Sequence, residues 1–203
     1  MPDQEKNTKT EADENLIWEE LHTEHIVQDE WIDFRKTAYR FPDGNVYEPF
    51  YTYSRRSYVV IVPEDEDGNY ICVRQFRQGI REVTTEFPAG GIERADGKSY
   101  GDGGDQAAAE DALEAAKREL REETGYESDK WEFLLAIPSN ATISDNYAYI
   151  FSAKNCRKSS DQDLDEMEFL NVHTYAPSEI EEMIGSGNFK QAMHVMAWLM
   201  VRR

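Results

Sequence analysis

Three glutamates, Glu119, Glu122 and Glu123, close an alanine-rich run, Gln106 to Lys117 and onward, that contains no helix breaker. On a helix turning about 100° per residue they fall within an arc of roughly 100°. Like charges three and four positions apart repel and weaken a helix. An exposed face would alternate such acids with lysine. Here the neighbouring cations are Lys117, Arg118 and Arg121, which mostly point elsewhere. A hard divalent cation accounts for the cluster, because Mg²⁺ takes oxygen ligands and binds through carboxylates together with substrate phosphates. A solvated acidic helix is the plainer alternative.

The elements that must position these acids are legible as alternating strands and helices. Ser57 to Val62 reads as a buried strand, ended by Pro63 and an acidic turn through Asp67-Gly68-Asn69, with Tyr70 to Phe76 as its partner. Thr84 to Phe87 is a short strand running into Pro88-Ala89-Gly90-Gly91. Residues 92–105 are too glycine-rich for an element and read as an inserted loop. After the acidic helix, strands are expected over Trp131–Ala136, Ala148–Ala153 and Glu168–Thr174. Ser178, with Glu181 three residues on, is the expected cap of a helix to Ile184, and a last helix covers Lys190–Val201. Upstream, Trp31–Tyr39 and Val46–Ser54 form a hairpin about the Pro42-Asp43-Gly44-Asn45 turn. Asn15–Asp29 carries enough apolar residues to dock, and residues 1–14 read as a disordered acidic leader. Strands around a central helix, with a helical C-terminus, give an α/β sandwich. The expected organisation is a leader 1–14, a hairpin region 15–56 serving dimerisation and substrate, and a domain 57–203 carrying the insertion 92–105.

Taken together, Gly104, Glu110, Arg118-Glu119-Leu120 and Glu122-Glu123-Thr124-Gly125-Tyr126 resemble the Nudix box: Gly, five residues, Glu, seven residues, Arg-Glu-apolar-any-Glu-Glu-any-Gly-apolar. Val73-Arg74-Gln75-Phe76-Arg77 and Glu86-Phe87-Pro88-Ala89-Gly90 are similar to the branch that hydrolyses ADP-ribose and nucleoside diphosphate sugars. The resemblance spans about Trp31 to the C-terminus and implies a Nudix-type α/β/α sandwich with a mixed central sheet, preceded by an N-terminal β-hairpin region. In that branch the box glycine coincides with the glycine of Pro-Ala-Gly, so Gly90 is the expected equivalent and Gly104 a coincidence within the insertion. Glu110, about half a turn round the helix from Glu119, is expected to serve the helix dipole. Thr142 and Asn140-Ala141 depart from the proline and Pro-Gly of ADP-ribose enzymes. That departure weakens ADP-ribose itself and leaves the wider class of diphosphate substrates.

The resemblance implies that Glu119, Glu122, Glu123 and the carbonyl of Ala89 hold Mg²⁺, with Mn²⁺ as a substitute. Arg118 is expected to orient a glutamate, or to be a structural ion pair, and Gly125 to cap the helix. The family's general base lies on a loop well after the box. Glu168 fits best, Glu166 is the reserve, and solvated loop acids are the alternative for each. Arg77 is the first candidate for a phosphate contact, with Arg55, Arg56 and Arg81 behind it. Trp31 and Tyr47 are candidates for stacking a nucleobase across a dimer, or for ordinary hairpin packing. The implied reaction is metal-dependent hydrolysis of a pyrophosphate bond; a catalytically silent nucleotide-sensing module is the alternative.

Composition limits the partners. There are 41 acids against 22 bases, a net charge of −19. Such a surface repels phosphate backbones, which disfavours nucleic acid and leaves a small nucleotide-sugar substrate met by metal and local arginines. The aromatic stretch Trp31–Tyr53 predicts a homodimer. Cys72 and Cys156 have no metal-ligand spacing and read as buried thiols, a disulfide being the minor option. Residues 1–15 have no apolar signal core, and the longest apolar run, Ala192–Val201, is too short to span a bilayer; a cytoplasmic protein without membrane partners is expected.

Overall fold

The valine-rich strand Tyr58–Asp65 is the axis of the fold, buried on both faces over Val59–Val62. Alternate side chains of a strand point to opposite faces, so Val59 and Ile61 enter one core while Val60 and Val62 enter another. The structure is a computed structural model that describes residues 16–93 and 112–203. The leader 1–14, most of the insertion 92–105, Gly104 and Glu110 lie outside the described residues. Two compact units are present: residues 16–55 with 140–145, and the remainder from residue 56 onward.

The first unit is an antiparallel sheet of β1 (Glu19–Gln28), β2 (Asp33–Arg40) and β3 (Val46–Ser54), in that order. The hairpin β2–β3 turns at Phe41–Asn45, where Asn45 N–H donates to the Asp43 carboxylate and Gly44 adopts φ +85°. β1 corrects the expectation of a merely docking segment. It pairs with β2 from Glu19 opposite Arg40 to Gln28 opposite Asp33. Nearly every residue of β1 is exposed, so it carries no apolar alternation from which a strand could be read. Trp18 stacks on Phe41 at 4.0 Å, and Phe41 meets Tyr47 at 4.7 Å between ring centres. Residues 140–145 join this sheet: Tyr53 N–H donates to Ile143 O at 2.8 Å, and Asp145 accepts from Arg35 and Ser54.

The second unit holds β4 (Tyr58–Asp65), β5 (Tyr70–Arg77), β6 (Glu82–Glu86), β7 (Ala89–Gly91), α1 (Ala112–Thr124), β8 (Tyr126–Glu127), β9 (Lys130–Pro138), β10 (Tyr147–Lys158), β11 (Leu170–Tyr175), α2 (Pro177–Gly185) and α3 (Ala192–Val201). Its sheet runs β11-β5-β4-β10-β8, with β6 on β5, β7 on β4 and β9 on β10. β10 is parallel to β4 and the other pairs are antiparallel, which makes the sheet mixed. α1 packs Ala115, Ala116 and Leu120 with Val59, Ile61 and Ile71 on one face. Ile180 of α2 and Ala197 and Trp198 of α3 pack with Val60, Val62 and Phe87 on the other. The expected α/β/α sandwich is therefore the architecture of this unit. Pro88, which lacks an N–H, separates β6 from β7.

α2 begins one residue before the expected cap. Pro177 fits the first helical position, and Glu179 accepts the Ala176 N–H at 2.7 Å. Cys72 and Cys156 are free and buried, and burial pushes the Cys156 thiol up to about 12. Among the described residues no helix is long and apolar enough to cross a membrane.

Leu120 is fully buried beneath the acidic helix, whereas Leu199 of α3 is 59% exposed. Leu120→Ala is expected to cost about 2–5 kcal/mol in urea unfolding. Leu199→Ala should stay within about 0.5 kcal/mol.

Candidate active site

α1 buries a face composed of Ala115, Ala116, Glu119, Leu120 and Glu123, so two of its acids lie on the core side of the helix. Glu119 is 7% exposed and Glu123 is 3% exposed. Burial disfavours a charged carboxylate and raises its pKa. Burial raises Glu119 to about 7, against the pull of Arg118 and with help from Glu168 and Glu122. Burial, and then the charge of Glu119, hold Glu123 well above the usual carboxylate range, although the Ala89 N–H opposes this. That N–H donates to Glu123 Oε2 at 3.0 Å.

β7 lies directly against these acids. A Cβ placed on Gly90 would sit 1.9 Å from Glu119 Cδ, so only a hydrogen atom fits there. Close approach thus supplies a physical reason for glycine at position 90. Arg118 ties helix to strand. Its Nη1 lies 2.9 Å from Glu122 Oε2 and 3.0 Å from Glu119 Oε1, and its Nη2 donates to Gly91 O at 3.0 Å. With three acceptors around it, its guanidinium orients two of the acids. The glycine after the helix, Gly125, adopts φ +70° and donates its N–H to Arg121 O at 2.7 Å, a left-handed cap.

A second charged network lies on β5 and β6, just before β7 in the chain. Glu86 is fully buried and accepts from Arg77 Nε at 2.8 Å, Arg77 Nη2 at 2.9 Å and Thr84 Oγ1 at 2.9 Å. His194 of α3 accepts the Phe87 N–H on Nδ1 at 3.1 Å, and its Nε2 lies 4.0 Å from Glu86 Oε2. Burial, and then the charge of Arg77, lower His194 to about 3, which keeps the ring neutral. One edge of the guanidinium of Arg77, the first candidate for a phosphate contact, is thus engaged by Glu86 through Nε and Nη2. Sequence reasoning assigned no role to Glu86 or His194. The available signal was an acid on the inward side of a strand, which demands a buried partner.

The remaining candidates divide clearly. Glu168 is half-buried just before β11, and its charge raises both Glu119 and Glu123. Glu166 is exposed. Arg56 Nε is buried with no hydrogen-bond partner among the described residues, and its Cδ would lie 3.8 Å from a Cβ on Gly91. Arg81 sits at φ +57° on the β5–β6 turn. Trp31 and Tyr47 belong to the first unit, 59% and 48% exposed, and Tyr47 packs on Phe41.

The donor set fits a hard divalent cation. It is made of carboxylate oxygens, two of them buried and mutually repulsive, for which a cation is the natural counter-charge. Among the described residues, no three acidic, histidine or cysteine side chains converge on one point as positioned.

A profile of the NUDIX domain matches residues 54–194. The chain belongs to the NUDIX domain family. Within this NUDIX domain the match covers the sheet, α1 and every acid of the second unit discussed above. The chain is 28% identical over 115 residues to a methanol dehydrogenase activator of Bacillus methanolicus. It is 29% identical over 115 residues to an ADP-ribose pyrophosphatase of Bacillus subtilis. Each alignment covers 56% of this chain and 55% of the relative, so the chain spans about half the length of these curated relatives. In fold it is similar to a solved ADP compounds hydrolase, with TM-score 0.74 and 23% identity, over 91% of this chain and 92% of that one.

The raised Glu119 carboxyl fixes a sign. An acid whose folded pKa lies above its unfolded value withdraws stability as pH rises from 4.5 through about 7. In metal-free protein, Glu119→Gln is therefore expected to melt above wild type at pH 8. The difference should vanish near pH 4, and thermal melts across that range check it.

Proposed function

We propose that the protein hydrolyses the pyrophosphate bond of a nucleoside diphosphate sugar or ADP-ribose in a metal-dependent reaction, releasing a nucleoside monophosphate and a sugar phosphate. The observation that carries this reading is the pair of buried carboxylates, Glu119 and Glu123, lying against β7 and sensing the charge of Glu168. The similarity to the ADP-ribose pyrophosphatase of Bacillus subtilis supports the same class.

Glu119, Glu122, Glu123 and the Ala89 carbonyl are the groups that would hold Mg²⁺, or Mn²⁺ in its place. An ion held there would offset pyrophosphate charge and would lower the pKa of water bound to it. Arg118 keeps Glu119 and Glu122 oriented towards that task. Glu168 accepts a proton from the attacking water, with Glu166 as the reserve base. The water oxygen bonds to one phosphorus, the bridging P–O bond breaks, and its electron pair leaves with the other phosphate.

Arg56, with its unpartnered Nε, offsets substrate charge that the −19 surface would otherwise repel. Arg77 contributes its charge from the fork that Glu86 holds. Trp31 and Tyr47 offer exposed rings for a nucleobase, and the apolar rings of the first unit suit a homodimer. A cytoplasmic location accords with this reading.

Purified protein supplied with Mg²⁺ or Mn²⁺ should release monophosphate from at least one of ADP-ribose, ADP-glucose, GDP-mannose and UDP-glucose. Glu168→Gln is expected to lower kcat by about 10²–10⁴ with little change in KM. Arg56→Ala should mainly raise KM. Absence of turnover with every substrate, and Glu122→Gln indistinguishable from wild type, would sink the proposal. Calorimetric nucleotide binding without product would instead identify a sensing module.

A further inference from the structure

The last carbonyls of a helix have no partner within it, and something else must satisfy them. At the C-terminus of α1 nearly all of the donors come from one short segment. Asp163 N–H donates to Glu122 O at 2.9 Å, Gln162 Nε2 to Glu123 O at 2.7 Å, and Lys158 Nζ to Thr124 O at 2.8 Å. Ser159 and Ser160 N–H both donate to Gly125 O, at 2.9 and 3.2 Å. Lys158 also lies over the Tyr126 ring at 5.5 Å, and its ammonium at a helix C-terminus is favourably placed for the helix dipole. The fit is close. A Cβ on Gly125 would meet Ser160 O at 2.2 Å and Lys158 Nζ at 2.8 Å.

Two of the carbonyls so held belong to Glu122 and Glu123. The strap then continues into the turn that carries Glu168, where Glu168 N–H donates to Asp165 O and Asp165 N–H to Glu168 Oε2. Two residues later the chain is fixed again, with Leu170 of β11 opposite Gln75 of β5. Glu168 is thus suspended on a short stretch between two anchors, one on the acidic helix and one on the sheet. A short loop closed at both ends has little freedom.

We infer that residues 158–163 form a clamp that sets the position of Glu168 relative to Glu119 and Glu123, with Gln162 and Lys158 as positioning residues. The inference rests on the hydrolase reading for its catalytic consequence and on the hydrogen bonds alone for its structural one. Gln162 reaches the main chain of a carboxylate-bearing residue from an exposed position, so its loss opens the clamp without emptying the core.

The test combines hydrogen exchange with kinetics on the full chain. Metal-free Gln162→Ala and Lys158→Met should exchange the amides of residues 164–169 at least several-fold faster than wild type. The β4 amides should remain protected and the melting temperature nearly unchanged. In the turnover assay kcat should fall by about 10- to 100-fold with KM within about two-fold. Lys158→Arg, which keeps a donor and a charge, should recover most of the loss. Exchange over 164–169 equal to wild type in both variants overturns the clamp, as does unchanged kcat beside an active wild type. A wild type inactive on every substrate defeats the hydrolase reading alone, because the exchange arm still decides the clamp.

Discussion

The rest of the second unit depends on two carboxylates, Glu119 and Glu123, that face inward from α1. Acids are seldom buried without partners, because removal from water disfavours the charged form. Here the partners come from a strand far away in sequence. The Ala89 N–H reaches Glu123, the bare Cα of Gly90 makes room for Glu119, and Gly91 O anchors the arginine that orients Glu119 and Glu122. β7 and α1 are therefore one construction. A side chain at position 90 or loss of charge at Arg118 would disturb both.

That construction is held from below as well as from the end. β6 and β7 form one continuous segment with Phe87-Pro88 between them. Pro88 O accepts the Ile61 N–H of β4, and Phe87 N–H is held by neutral His194. Glu86, fully buried and forked by the half-buried Arg77, has both carboxylate oxygens satisfied. Removing Arg77 would leave the Glu86 carboxylate buried without its charged partner, so Arg77 carries structural weight whatever else it touches. The charge of Arg77 also lowers Glu123, which brings this network into electrostatic contact with the acids of α1.

Much of the architecture could be read from local pattern. The apolar run over Ser57–Val62, the Asp-Gly-Asn turn and the helix-period acids each state their element through a period of two or 3.6 residues, or through turn chemistry. β1 escaped because an exposed strand has no alternation to display. Glu86 and His194 escaped because their meaning lies in each other and in Arg77, and His194 is on a different element of the sheet–helix stack. The strap at 158–163 escaped for the same reason: Lys158 bonds to a residue 34 positions away and Gln162 to one 39 away.

By itself, the sequence determined the chemistry on offer: three acids on one helix face, a glycine to end that helix, a Pro-Ala-Gly turn, and a net charge of −19 that disfavours long polyanions. Helical periodicity suffices for that, since it depends only on neighbours three and four apart. Tertiary structure decided which acids are buried, that the charge of Glu168 reaches them, and that Arg77 is forked on Glu86. Those outcomes depend on desolvation and on contacts between distant segments, and neither is a property of local spacing.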